Sequence, residues 1–175
     1  MEGSEIICAA AVAGDIVTLK QELFKFPANL RRAASAASAA GKLDVLKWLH
    51  ETSFCVSRSQ SSILTAAALN GHFHVIDWGL HVGIKPSPDL MSALIRGRHW
   101  EYFKKCIDRG CPVDASVMHT AVLSGNLTVL YWLMQHRSTK IPIQPTTCAA
   151  AREHGLWKML TKIEIYGCEC KGMLH

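Results

Sequence analysis

At 175 residues the chain is long enough for one domain or one short repeat array, and too short for two large domains. A hydrophobic fraction of 49% against 19% charged residues excludes general disorder, while aromatics at 7% and an apolar count rich in alanine favour close helix–helix packing over a large globular core. The net charge of +5 is a mild excess of 19 Lys+Arg over 14 Asp+Glu, suited to acidic partners but sparser than the footprint of a typical nucleic-acid binder. The longest apolar run, about Ile6 to Gly14, falls well short of the roughly 20 residues that cross a bilayer, so no membrane association is expected. Glu2 and Glu5 occupy the place where a secretory leader carries basic residues. Seven cysteines, an odd number, then imply reduced thiols and a cytoplasmic or nuclear, reducing location.

Taken in chain order, one phrase recurs: a small-residue helix, a glycine, one residue, an apolar residue and an apolar helix. It appears as AAVAGDIVTLKQEL, ASAAGKLDVLKWL, AALNGHFHVIDWGL, ALIRGRHWEYFKKC, AVLSGNLTVLYWL and AAREHGLWKMLTKI. The junctions are Gly14, Gly41, Gly71, Arg98, Gly125 and Gly155, spaced 27, 30, 27, 27 and 30 residues apart; only the fourth lacks glycine, and Gly97 stands one position early. Four residues before each junction lie Ala10, Ala37, Ala67, Leu94, Ala121 and Ala151. Two after it come Ile16, Leu43, Phe73, Trp100, Leu127 and Trp157, and five after it Leu19, Leu46, Ile76, Phe103, Leu130 and Leu160. Trp48, Trp78 and Trp132 share the seventh position, and Gly83, Gly110 and Gly167 close three second helices at the twelfth.

Each unit is therefore a helix–turn–helix. The first helix is alanine-rich, and the second carries apolar residues at offsets +2, +5 and often +8 or +9, a helical stripe. Helix starts are marked by Ser61 and Ser62 before Ile63, by Pro88 and Asp89 before Leu90, and by Pro145, Thr146 and Thr147 before Cys148. The tryptophan column is expected to fill the space between successive units. An indole buries about 150–250 Å², worth roughly 4–6 kcal/mol gross at ~25 cal/mol/Å², so Trp78→Ala is expected to cost several kcal/mol.

Met118-His119-Thr120-Ala121-Val122-Leu123-Ser124-Gly125-Asn126-Leu127-Thr128-Val129-Leu130 resembles the T-P-L-H-x-A-A-x-x-G-H-x-x-V-V phrase of the ankyrin repeat family, with His119 at its histidine and Gly125 at its inter-helix glycine. Gly110-Cys111-Pro112 is similar to the shortened G-C-P ankyrin repeats of giant DNA viruses and some protists. The resemblance implies an all-α solenoid of about six helix–turn–helix repeats, at approximately 4–30, 31–60, 61–87, 88–114, 115–144 and 145–175, in one domain over 1–175. Repeats of 27 or 30 residues in place of 33 imply β-hairpin fingers truncated to short turns, hence little or no β-structure. Ser116-Val117 replaces the family's threonine-proline start, and Cys8, Ser35, Thr65, Ser92 and Ala149 replace its histidine elsewhere. A tetratricopeptide-like stack is the alternative solenoid, but its period of about 34 fits less well.

No enzymatic chemistry is expected. Phosphate-cradling G-x-x-x-x-G-K-[ST], a G-x-G-x-x-G after a strand and a G-x-S-x-G elbow are all missing, and no catalytic residue or cofactor is assigned. Cys168-Glu169-Cys170 with His175, and His72-Phe73-His74, lack a second ligand pair at a defined spacing, so no metal site is assigned. Arg96, Arg98, Lys104, Lys105, Arg109, Arg137, Lys140 and Arg152 make the second half basic, yet Trp100, Phe103 and Trp132 lie in core columns instead of interleaving with those charges. A nucleic-acid-binding or zinc-binding regulatory protein using that half is the alternative; nucleic acid is not the expected partner.

An ankyrin-like stack implies recognition of a protein, possibly acidic, by a concave face of first helices and inter-repeat loops. Its exposed positions flank the junctions: Leu69 and Asn70, Arg96, Leu123 and Ser124, Glu153 and His154. The loops at Ile84–Pro88, Cys111–Ala115 and Ser138–Gln144 join them, the last with Ile141 and Ile143 about Pro142; Ile141 is an anchor candidate or packs under its own loop. Arg96 and Tyr131 are the residue types that dominate buried hot spots. The module is expected to act as an adaptor or viral effector that recruits or sequesters a host protein. The sequence stops at His175, leaving no room for the F-box-like segment of poxvirus ankyrin proteins, and Ile163, Ile165, Met173 and Leu174 form an uncapped end through which the chain is expected to self-associate.

Overall fold

The computed structural model describes residues 2–52, 60–135, 141 and 143–165. Twelve α-helices occupy them, in six antiparallel pairs: α1 (Glu2–Ala13) with α2 (Ile16–Lys25), α3 (Leu30–Ala39) with α4 (Leu43–Glu51), α5 (Gln60–Leu69) with α6 (Phe73–His81), α7 (Pro88–Arg96) with α8 (Trp100–Asp108), α9 (Ala115–Leu123) with α10 (Leu127–Gln135), and α11 (Pro145–Glu153) with α12 (Trp157–Ile165). A short 3₁₀ turn, Pro27–Asn29, enters α3, and no strand occurs among the described residues. The odd-numbered helices stack face to face from α1 to α11, and each even-numbered helix lies on the first helix of its own pair. The fold is an all-α repeat solenoid, with no β-finger among the described residues.

The first helices approach closely because their contact faces are small. Ala10 and Ala11, Ala33, Ala34 and Ala37, Ala67 and Ala68, Ala121 and Ala151 are all buried. The one hydroxyl carried into the α3–α5 seam is satisfied: Ser38 is buried and donates to the carbonyl of Ile63. The α7 helix, at the centre of the stack, is buried at six successive positions from Leu90 to Ile95.

Every predicted junction residue adopts a left-handed backbone conformation: Gly14, Gly41, Gly71, Gly125 and Gly155 at φ between 63° and 87°, and Arg98 at φ 60°. A left-handed residue ends a helix by letting the following N–H reach back five residues. Lys42 N donates to Ala37 O at 2.8 Å, His72 N to Ala67 O at 3.0 Å, His99 N to Leu94 O at 2.9 Å and Leu156 N to Ala151 O at 2.8 Å. The residue four before the junction supplies the accepting carbonyl in these repeats and in the first, where Asp15 N donates to Ala10 O, and its side chain is buried in all six repeats.

The second helices depart from the expected stripe. Offset +5 is buried throughout, but its companion is +4, filled by Val45, Val75, Tyr102, Val129 and Met159. Offset +2 lies at the margin of the core: five members are half-buried, and Trp157 is 66% exposed. A residue at +2 sits on the first turn of its helix, where only the preceding repeat can cover it. The tryptophan column bridges repeats as expected but stays half-buried. Trp78 meets the His50 ring of α4 edge-on with centroids 5.9 Å apart, Trp132 meets Trp100 of α8 at 5.5 Å, and Lys20 of α2 lies 5.8 Å from the Trp48 ring.

Helix starts follow the proline signals and miss one serine signal. Pro88 and Pro145 open α7 and α11 at their first positions. The α5 helix begins earlier, at Gln60, so Ser61 and Ser62 lie inside its first turn. Asp15 caps α2 through Val17 N and Thr18 N at 3.0 and 3.1 Å, and Asp114 caps α9 through Ser116 N at 2.9 Å.

Candidate functional site

The Schellman turns leave one edge of the stack uncovered. The residue two before each junction is the last of its first helix, except in α1, which continues one residue further to Ala13. Those residues are Val12, Ala39, Leu69, Arg96, Leu123 and Glu153. Val12, Leu69 and Leu123 are 49%, 42% and 39% exposed, three of the eight large apolar side chains standing in solvent. Arg96 and Glu153 are exposed as well, and only Ala39 is half-buried. Asn70, Ser124 and His154, the next residues along, are also exposed; Asn70 Nδ2 donates to Ala66 O at 2.9 Å and Ser124 Oγ to Ala121 O at 2.9 Å. Leu69, Asn70, Arg96, Leu123, Ser124, Glu153 and His154 therefore share a single ledge. Val12 extends it by two repeats; its membership was legible from the column, since it stands two before Gly14.

Ile141 does not join the ledge. It is half-buried and packs against the core with Ile143. A short apolar loop next to an open end of α11 gains more by covering core than by facing water. Tyr131 is half-buried on α10, with Lys162 Nζ 5.2 Å from its ring centroid. The third- and fourth-repeat loops are closed likewise: Ile84 and Cys111 are buried.

A second row determines how open the ledge is. The residue after each junction reaches back onto the preceding repeat. Lys42 lays its methylenes 3.6 Å from where a Cβ on Gly14 would stand, and a Cβ on Gly41 would lie 2.6 Å from His72 Nδ1. His72 Nε2 is 2.9 Å from Ala39 O, and His74 Nε2 is 3.0 Å from Gly41 O. His99 covers Gly71 in the same way, a Cβ there falling 2.9 Å from its Cε1, and also fills the space beside Gly97. Gly97 itself has φ −73° and needs no left-handed freedom; a side chain there would meet His99 at 2.6 Å and Leu69 O at 3.0 Å.

Between the fourth and fifth repeats this ladder stops. Asn126 takes the place of the histidine, and its Oδ1 accepts from Val129 N at 3.2 Å within its own helix. A groove of about 630 Å³ remains, walled by Arg96 and Arg98 on one side and by Ser124 to Thr128 on the other. No carboxylate lines it, and the first turn of α10 adds the positive end of a helix dipole. Arg98 is the one described non-glycine residue with positive φ, a conformation that costs an L-residue about 1–2 kcal/mol.

Beyond the groove, Arg109 and Lys104 are engaged with neighbouring side chains, while Arg137 and Lys140 lie outside the described residues. Arg109 Nη1 donates to Asp77 Oδ1, which also accepts from Tyr102 at 2.9 Å, tying α8 to α6 across a repeat boundary. Partial burial pushes the Asp77 carboxyl up, but the hydrogen bonds from Arg109 and Tyr102 more than reverse this and leave it below its ordinary value. Lys104 lies 4.8 Å from the Trp100 ring and 3.0 Å from Glu101. Phe103 is buried and stacks on Trp100 at 5.4 Å, so the aromatics of this half are engaged with one another. Among the described residues no three His, Cys, Asp or Glu side chains converge as a metal site would require. Cys168, Cys170 and His175 lie outside the described residues, as do Met173 and Leu174 of the end expected to self-associate, whereas Ile163, expected to be uncovered there, is buried in the core. Among those residues no helix is long and apolar enough to cross a membrane.

Residues 30–78, spanning α3 to α6, match the family model for ankyrin repeats (many copies). No curated protein and no solved structure matches the chain.

Proposed function

The chain carries ankyrin repeats, and from that premise we propose that it is a non-enzymatic protein-interaction module which holds an extended segment of a partner along the ledge. Ankyrin repeats are protein-binding scaffolds in general, and solenoids present long surfaces of repeated register positions. The observation that carries the reading is the coincidence of two features: exposed apolar side chains at Val12, Leu69 and Leu123, and a carboxylate-free groove walled by Arg96 and Arg98 on one side. A segment with acidic groups entering the groove and apolar side chains meeting Leu69 and Leu123 to either side of Arg96 matches both features. Arg98 supports this further, because strained backbone positions cluster at binding sites.

The finer role we propose is an adaptor or effector that recruits or sequesters a host protein, a reading that rests on the likeness of Gly110-Cys111-Pro112 to shortened viral repeats. Affinity capture from the native cell followed by mass spectrometry tests it, with Arg96→Glu as the control bait. The expected result is a partner bearing an acidic, partly apolar segment, captured by the parent chain and lost with Arg96→Glu. Charge reversal at the groove is expected to weaken binding about tenfold or more, equal to ~1.4 kcal/mol. Full retention of every partner by Arg96→Glu overturns the ledge as the binding face.

A further inference from the structure

We propose that Cys106 and Cys111 are a paired dithiol that a peroxide closes into a disulfide, a modification site where the second helix of the fourth repeat ends. The pair arises from the way α8 ends. Gly110 takes φ 79°, Gly110 N donates to Ile107 O at 2.8 Å, and Cys111 N donates to Cys106 O at 3.0 Å. These are the two bonds of a Schellman cap, whose first and last residues place their side chains in contact. With standard backbone lengths, the second bond holds the two Cα atoms within about 7 Å, beside the ~4.4–6.8 Å found across disulfides. Each thiol lies close enough to the other to shift its ionisation.

The same cap at the end of α6 joins Gly79 to Ile84, with Ile84 N donating to Gly79 O at 2.9 Å. There the contact is plain apolar packing: a Cβ on Gly79 would lie 3.3 Å from Ile84 Cδ1. Offset +8, where Cys106 sits, is the buried Leu49, Leu133 or Ile163 in three other repeats, and Glu22 and Gly79 in the remaining two. The fourth repeat alone among the described repeats places sulfur on both sides of the contact.

The two sulfurs are unequal. Cys106 is fully buried, and both the neighbouring Cys111 and its burial push its thiol up. The neighbouring Cys106 and the Arg109 guanidinium together bring the Cys111 thiol below its usual value despite burial. It also lines an open cleft of about 540 Å³ with Asp77, Lys85 and Arg109, wide enough for a small oxidant. Cys111 is thus the attacking group. Its thiolate attacks one peroxide oxygen, the O–O bond breaks, and hydroxide leaves and is protonated to water, giving a sulfenic acid. The Cys106 sulfur, losing its proton, then attacks the Cys111 sulfur; the S–O bond breaks and a second water departs. Each sulfur loses one electron and the peroxide gains two.

The test is graded hydrogen peroxide on the full chain, followed by thiol alkylation and peptide mass spectrometry. The expected product is a Cys106–Cys111 link, lighter by two hydrogen atoms and reversed by a phosphine, formed before Cys8 or Cys148 reacts. In Cys106→Ser the expected product is a dimedone adduct on Cys111, because the resolving thiol is gone. Cys111→Ser, altered nearer the surface, is expected to leave Cys106 unmodified over the same range. The proposal is overturned if both thiols of the parent chain remain alkylatable while Cys8 and Cys148 oxidise. It is equally overturned if Cys111 passes to the sulfinic acid without linking to Cys106.

Discussion

Arg98 stands where five other repeats have glycine, and the backbone makes no exception for it. Its φ of 60° is the conformation that a Cβ disfavours. Replacing it by glycine removes that strain but gives the unfolded chain more freedom. Arg98→Gly is expected to stabilise the fold by a net ~0.5–1 kcal/mol, read as a higher urea midpoint with an unchanged slope. The same variant removes one of two guanidinium groups from the groove, so partner binding is expected to weaken while stability rises. Opposite signs in the two measurements separate a binding residue from a merely tolerated one. Gly71 is the converse case. It needs its left-handed φ of 74°, and it also makes room for His99. Gly71→Ala is expected to cost about 2 kcal/mol or more. Adding His99→Ala is expected to recover the steric part and not the backbone part, so a double-mutant cycle should give a clear coupling energy.

At the scale of the elements, stability is set by how each second helix is tied to the previous one. The tryptophan column was expected to be worth the full burial of an indole. Half-burial lowers that figure: Trp78→Ala is expected to cost about 2 kcal/mol, measurable by thermal or urea unfolding. Trp157, exposed at the end of the described stack, is expected to cost almost nothing. The tie between α6 and α8 is electrostatic. Asp77 has its carboxyl value depressed by Arg109 and Tyr102, so it stabilises the fold above the unfolded-state value and loses that contribution as pH falls through the folded one. Acid unfolding below about pH 4 is therefore expected to begin at this boundary. Asp77→Asn should remove that pH-dependent component, and hydrogen exchange of α6 and α8 amides across the acid range checks it. Asp77 is half-exposed, so the effect is expected to be small beside core burial.

For the whole molecule, the repeat was legible because a single stereochemical requirement returns six times. A residue that can turn left-handed must follow each first helix, and a small residue must precede it by four where helices stack. That is why the junctions and the alanine column could be placed from the chain alone, Arg98 included. The ledge followed from the same register: Leu69, Arg96, Leu123 and Glu153 are exposed because they are the last residues before a turn, and Val12 could have been added on that ground. Periodicity carried less well to the second helices. The choice between +2 and +4 depends on whether the preceding repeat covers the first turn, which no local pattern states. Ile141 illustrates the same limit, as an apolar loop residue faces solvent or core according to what lies beneath it.

Order along the chain, then, determined the number and phase of the helix pairs, the alanine seam between them, and the edge at which their ends emerge. These are local stereochemical demands that each segment meets on its own. The groove beside Arg98, the histidines that close its counterparts, the Asp77–Arg109 tie and the apposed thiols of Cys106 and Cys111 were decided only by tertiary structure. Most of these join residues of neighbouring repeats, and all depend on which side chain one turn lays over another.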